Sequence, residues 1–185
     1  MGRFIAASQL VVIVGAIIQM VARREKYPLT QRRVAECLLS WSLPVNTGVG
    51  GIMGFVGHTL RAKETAEEIG WPSGNPFQSE VALSDLAFGV LGFLSIWFRG
   101  SFWLATITGK SIFELGASYV HIREMVKNKN FHPGNAGPVL FVDALIPLAH
   151  IFLLRRYGPL SPQEKSTPWR EILGQAAATL RGHQR

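Results

Sequence analysis

A single cysteine, Cys37, occurs in 185 residues. The absence of a second thiol excludes an intrachain disulfide and any metal site built on paired cysteines, and it leaves Cys37, near the start of an apolar run, as a buried thiol. Acidic side chains are also scarce, 12 against 19 Lys and Arg, which gives a formal charge of +7 and a pI near 10.1. That balance invites a nucleic-acid partner, yet the chain has no zinc-finger spacing, no basic helix with heptads and no aromatic RNA-binding signature. Nucleotide loops are missing too. Gly109-Lys110-Ser111 has Leu104 where a phosphate loop needs its first glycine, and Gly48-Val49-Gly50-Gly51 has Met53 where the dinucleotide fingerprint needs its third. No repeat or low-complexity tract is evident.

Apolar sequence is abundant: 48% hydrophobic residues with a mean hydropathy of +0.19. A helix needs about 20 mostly apolar residues to cross a hydrocarbon core of about 30 Å. Five runs meet that need, Phe4–Ala22, Cys37–Gly57, Pro76–Phe98, Phe102–Ile122 and Pro138–Leu154. The first is not read as a cleaved signal, because basic residues follow it and Met20-Val21-Ala22 is a poor cleavage site. The predicted fold is all-α, a polytopic bundle of about five spans over residues 1–157, followed over 158–185 by a cytoplasmic tail. In the tail Trp169, Ile172, Leu173, Ala176 and Leu180 fall at amphipathic spacing.

Basic residues decide the orientation. Twelve, among them Arg23, Arg24, Arg32, Arg33, Arg99, Arg155 and Arg156, fall on one side and six, Arg3, Arg61, Lys63, Arg123, Lys127 and Lys129, on the other. The positive-inside rule then puts the N-terminus outside and the C-terminus in the cytoplasm. Local signals fix the ends of the runs. Asn75-Pro76-Phe77-Gln78 reads as an N-cap, an N1 proline and a capping-box glutamine, preceded by a tight turn over Trp71 to Gly74. Trp97-Phe98-Arg99-Gly100-Ser101-Phe102-Trp103 reads as a hairpin with its aromatics at headgroup depth and Gly100 ending the third span. Gly50 and Gly54, with Gly51 and Gly57, form a small-residue seam, and Pro44 before them predicts a kink whose freed backbone groups Asn46 and Thr47 satisfy.

Lys110, Glu114, Ser118 and His121 lie on one face of the fourth run. Charges at that depth are costly enough to mark a functional site, and they are expected to pair with each other or with Asp85 and Asp143 inside the bundle. By helical rise His58 and His121 sit at outer span ends, and Asp85, Glu114 and Asp143 roughly 8–14 Å inward. The predicted ligand-binding set is Lys110, Glu114, Asp85, Asp143, His58, His121, Gln78 and Trp71. Against it stands a closed ion-pair network that only fixes helix packing. His58, His121, Asp143 and Glu80 have the chemistry of iron, zinc or manganese ligands, without diagnostic spacing. His121 and Glu124 give half of a di-iron helix motif, with no second half. His150 is read as a packing residue or, failing that, a haem ligand. The spacing names no cofactor.

The stretch Ile69 to Glu80, with Gly57-His58 before it and Phe102-Trp103, His121, Asn135-Ala136-Gly137-Pro138 and Asp143 after it, resembles a family of small bacterial multi-spanning membrane proteins known only as a domain of unknown function. The resemblance covers about Val34 to Tyr157, leaving out the basic first loop and the tail from Ser161. It implies a bacterial inner-membrane helical protein and brings no assigned activity. Asp85 stands where the family is associated with Asn.

The expected function is an inner-membrane protein with an outward-facing polar pocket that binds or moves a small polar ligand, proton or metal ion. The alternatives are a non-catalytic accessory subunit of a larger membrane complex and, third, a membrane redox or hydrolytic enzyme. The expected partners are the lipid bilayer and either further copies of the chain or other membrane subunits, with no nucleic acid.

Overall fold

The computed structural model describes residues 2–158, so the predicted tail helix lies outside the described residues. Among them every element is helical, in the order α1 (Gly2–Ala22), α2 (Gln31–Ser42), a π-helical segment (Leu43–Val49), α3 (Gly50–Thr59), α4 (Ala62–Ile69), α5 (Phe77–Leu94), α6 (Ser101–Asn128), the single turn α7 (Pro133–Ala136) and α8 (Pro138–Tyr157). Three stretches, Gly2–Ala22, Phe77–Leu94 and Pro133–Tyr157, are long and apolar enough to cross a membrane. The other two predicted runs are helical as well. One is continuous over 31–59 but broken in regularity by its π-helical turns, and the other, α6, carries Lys110 and Glu114 in its middle.

Pro44 explains the break. A proline has no N–H to give to the preceding turn, and the helix takes up the loss by widening to π-helical turns over Leu43–Val49. Asn46 does not bond the freed backbone as expected; it bonds side chains of neighbouring elements, as described below. The widened segment and α3 pack closely on α5 through glycines. A methyl group on Gly51 would lie 2.5 Å from the Asp85 carbonyl oxygen, and one on Gly92 would run into the Gly48 backbone. The seam thus runs through Gly48, Gly51 and Gly54, whereas Gly50, predicted to belong to it, faces open space.

The loops between helices also differ in detail from the sequence reading. Gly70, with φ of 80°, closes α4. Asn75 Oδ1 accepts from the Phe77 N–H at 3.0 Å, but Gln78 does not complete a capping box, because its amide is taken by the Ala62 carbonyl at 2.7 Å. Gly100, with φ of 61°, introduces α6 rather than ending α5, which stops at Leu94. Trp103 is fully buried in the bundle. Its indole N–H donates to the Ser95 carbonyl at 2.9 Å, and it joins Leu39, Leu43, Ile107 and Tyr157 in the apolar core between α2, α6 and α8.

Candidate functional site

The buried face of α6 is Trp103, Thr106, Ile107, Lys110, Ser111, Glu114, Ser118 and His121, the helical repeat on which the four predicted polar residues fall. Backbones of α5 and α6 approach one another at few points, and the long Lys110 side chain bridges them. Its Nζ lies 3.3 Å from Glu114 Oε1 and 3.5 Å from Asp85 Oδ1, over the rings of Phe113 at 5.1 Å and Phe88 at 5.3 Å. Two carboxylates and two ring faces replace the water this ammonium would have in solution. Asp85 reaches it across a bare stretch of α3: a methyl group on Gly54 would stand 2.6 Å from Asp85 Oδ2. The glycine is therefore the reason a carboxylate fits between α3 and α5.

Asp143, half-buried on α8, lies within electrostatic reach of Lys110, Glu114 and Asp85, but makes no hydrogen bond or ion pair among the described residues. Glu114 Oε2 and Ser118 Oγ are buried without partners among them. Glu114 also lines a narrow cleft of about 60 Å³ walled by Phe4, Ser8 and Gln9 of α1, Val45 and Asn46 of the π-helical segment, and Val142 of α8. The open space beside Gly50 belongs to this cleft.

His58 and Gln78 form a second group at the other end of α3, the Gln78 amide lying 3.4 Å from His58 Nδ1. Asp85 is within electrostatic reach of His58, so this pair adjoins the charged cluster. His121 and Trp71 sit apart from it. Trp71 stacks on the His121 ring at 5.6 Å and 13°, and His121 Nδ1 shares a 2.7 Å hydrogen bond with Asn135 Oδ1. The Asn135 amide donates to the carbonyls of Asn130 (2.8 Å) and His121 (3.2 Å), and the Asn130 amide to that of Ile69 at 2.9 Å. These bonds lock the loop around Asn130 onto the end of α4, where Gly134 has no room for a side chain against the Glu68 backbone.

Metal candidates are not brought together. Glu80 is exposed, His121 is engaged by Asn135, and among the described residues no group of three His, Cys, Asp or Glu side chains converges on a point that could hold an ion. Glu124 accepts from Asn128 at 2.7 Å rather than facing His121's partners.

Sequence reasoning missed two things. Asn135 was noticed only as part of a resembling string, yet it is wholly buried and ties three backbone segments together. A polar chain was also overlooked: the Gln9 amide donates to Asn46 Oδ1 (2.8 Å), Asn46 to Ser42 Oγ (2.8 Å), and Ser42 Oγ lies 2.7 Å from His150 Nε2. The available signal was Gln9 itself, one of two amides, with Gln19, inside the apolar first run. His150 is thus a hydrogen-bonded core residue, in keeping with its reading as a packing residue.

The fold and site define a class: an all-α bundle with helices of membrane-spanning length and a charged cluster in its interior. Within that class, residues 2–163 match the model of DUF6790, a family of unknown function, and the chain belongs to that family. The match is wider than the predicted Val34–Tyr157 and takes in α1 and the basic first loop. No curated protein and no solved structure matches the chain.

Proposed function

We propose that this chain is a five-span protein of the bacterial inner membrane, N-terminus outside and C-terminus in the cytoplasm, whose outward-facing interior cluster binds a proton or small cation and passes it across the bilayer. Helical stretches over 31–59 and 101–128 are long enough for the two further crossings, and the twelve-to-six distribution of basic residues supports the orientation. The observation that carries the reading is the imbalance of the cluster. Three carboxylates, Asp85, Glu114 and Asp143, share one ammonium, Lys110, and both Glu114 Oε2 and Asp143 are left without partners among the described residues. Uncompensated negative charge in a low-dielectric interior is met by a positive species, and a proton or a small cation is what the confined space between these groups admits.

Infrared difference spectra of the protein in liposomes, taken while protons or Na⁺ are titrated, test this. The carboxylic C=O band should respond, and Glu114→Gln and Asp143→Asn should each remove part of the response while the protein accumulates and unfolds as the wild type does. Carboxyl bands indifferent to both ions would end the reading.

Asp143 alone favours the accessory-subunit reading, since a half-buried carboxylate on an apolar helix offers a partner helix a charge to meet. Co-purification of a membrane subunit that Asp143→Asn releases would support that alternative.

A further inference from the structure

At the end of the bundle opposite the His58 group, α1, the α2/π-helical stretch and the residues after α5 line a groove of about 440 Å³. Its walls are apolar, with Ile18, Trp41, Val45 and Ile96, and two arginines, Arg23 and Arg99, share its lining. Ile18 and Ile96 are exposed in the groove, so a purely aqueous ligand would leave that surface uncovered. The charge around it is unbalanced towards positive. Glu36 accepts from Arg99 at 2.6 Å and from Arg33 at 2.9 Å, so one carboxylate serves two guanidinium groups. Arg33 Nη2 is buried with no partner, and Arg23 has no carboxylate partner, among the described residues. Arg23, Arg33, Glu36 and Arg99 all act electrostatically on Cys37, which places them around one spot.

We propose that this groove is a binding site for an anionic phospholipid, the phosphate held by Arg23 and Arg99 and an acyl chain lying along Ile18, Trp41 and Ile96. Positive surplus at one end and an apolar trough running from it match an amphipathic anion and not a free one. The inference is independent of the Glu114 cluster and rests only on α1 lying in a bilayer.

Trp41 supplies the probe, its indole fixed in the groove wall by donation to Gln19 Oε1 at 2.9 Å. The full chain is placed in bilayers containing brominated phosphatidylglycerol or brominated phosphatidylcholine, and the Trp41 share of the fluorescence is isolated by subtracting Trp41→Phe. Quenching should favour the anionic lipid by about fivefold or more, roughly what one basic residue beside an anionic headgroup contributes. Arg23→Gln, at an exposed position, should bring that preference towards unity. Equal quenching by the two lipids, a preference untouched by Arg23→Gln, or its abolition by millimolar inorganic phosphate would each overturn the lipid site.

Discussion

The Lys110 cluster and the Arg99 cluster are near mirror images in composition and opposites in setting. In the first, one ammonium pairs with carboxylates on two helices and has a third, Asp143, within electrostatic reach; in the second, one carboxylate serves two guanidinium groups. The Lys110–Asp85 pair is 7% and 11% exposed, the Arg99–Glu36 pair 38% and 23%. A surplus charge at the second can be satisfied by water or headgroups at its own doorstep, whereas a surplus at the first has only what the protein admits to it. The same arithmetic of charges therefore underlies two different proposals, a surface that recruits an anionic headgroup in one place and an interior site for a proton or small cation in the other.

The comparison breaks most sharply at Lys110. Lys110→Met removes the single positive charge from a buried group of carboxylates, and loss of one partner of such a pair costs about 3–5 kcal/mol. Thermal unfolding in mild detergent should show a large fall in stability, or the protein should fail to accumulate. Adding Asp85→Asn and Glu114→Gln should recover most of the loss, because the charges are then removed together. A triple variant no more stable than Lys110→Met would mean that Lys110 is needed for its contacts with Phe88 and Phe113 and not for charge.

A neutral network gives an intermediate case. Asn135→Ala deletes the acceptor for His121 and two donors to backbone carbonyls, all buried. Each buried group left unsatisfied costs about 1–3 kcal/mol at most, and because Lys129 and Phe131 on either side of Asn130 are exposed, water can reach the loosened loop and take over part of these bonds, so the expected fall lies below that of Lys110→Met but is clearly measurable by the same unfolding assay. Hydrogen exchange adds a local reading: amides around Asn130 and Gly70 should lose protection ahead of those in α6. Uniform loss across the bundle would contradict the loop-locking role assigned to Asn135.

How much of this was legible in the sequence follows from the range of the forces involved. The polar face of α6 depends only on helical repeat, so Lys110, Glu114, Ser118 and His121 were readable and all four are buried. Gly70 closing α4 is likewise a local matter of backbone conformation. The division of those residues between two groups was not readable, since it depends on how far α4 and the loop before α8 fold over the bundle: Trp71 and His121 are drawn to Asn135, away from Lys110. Pro44 announced an irregularity, but a kink and a π-helical widening begin from the same missing hydrogen bond, and local sequence does not distinguish them. Gln78 shows the same limit. Its spacing from Asn75 fits a capping box, and a nearer carbonyl at Ala62 wins the amide.

The smallest expected effect completes the comparison. Arg99→Gln breaks a 2.6 Å ion pair to Glu36, shorter than either contact of Lys110, so distance alone would rank it first. Exposure reverses the order. With the Arg99 side chain 38% exposed, the carboxylate it leaves behind is rehydrated and still holds Arg33, and pairs of this kind contribute about 0.2–1 kcal/mol. Unfolding at low salt should show that small difference, and it should shrink further as ionic strength is raised with a bulky organic salt, while the Lys110→Met deficit changes much less because buried charges are screened far less than exposed ones. A deficit for Arg99→Gln that equals the Lys110 one and ignores salt would show that the arginine cluster is as secluded as the lysine cluster, and the contrast between the two sites would have to be given up.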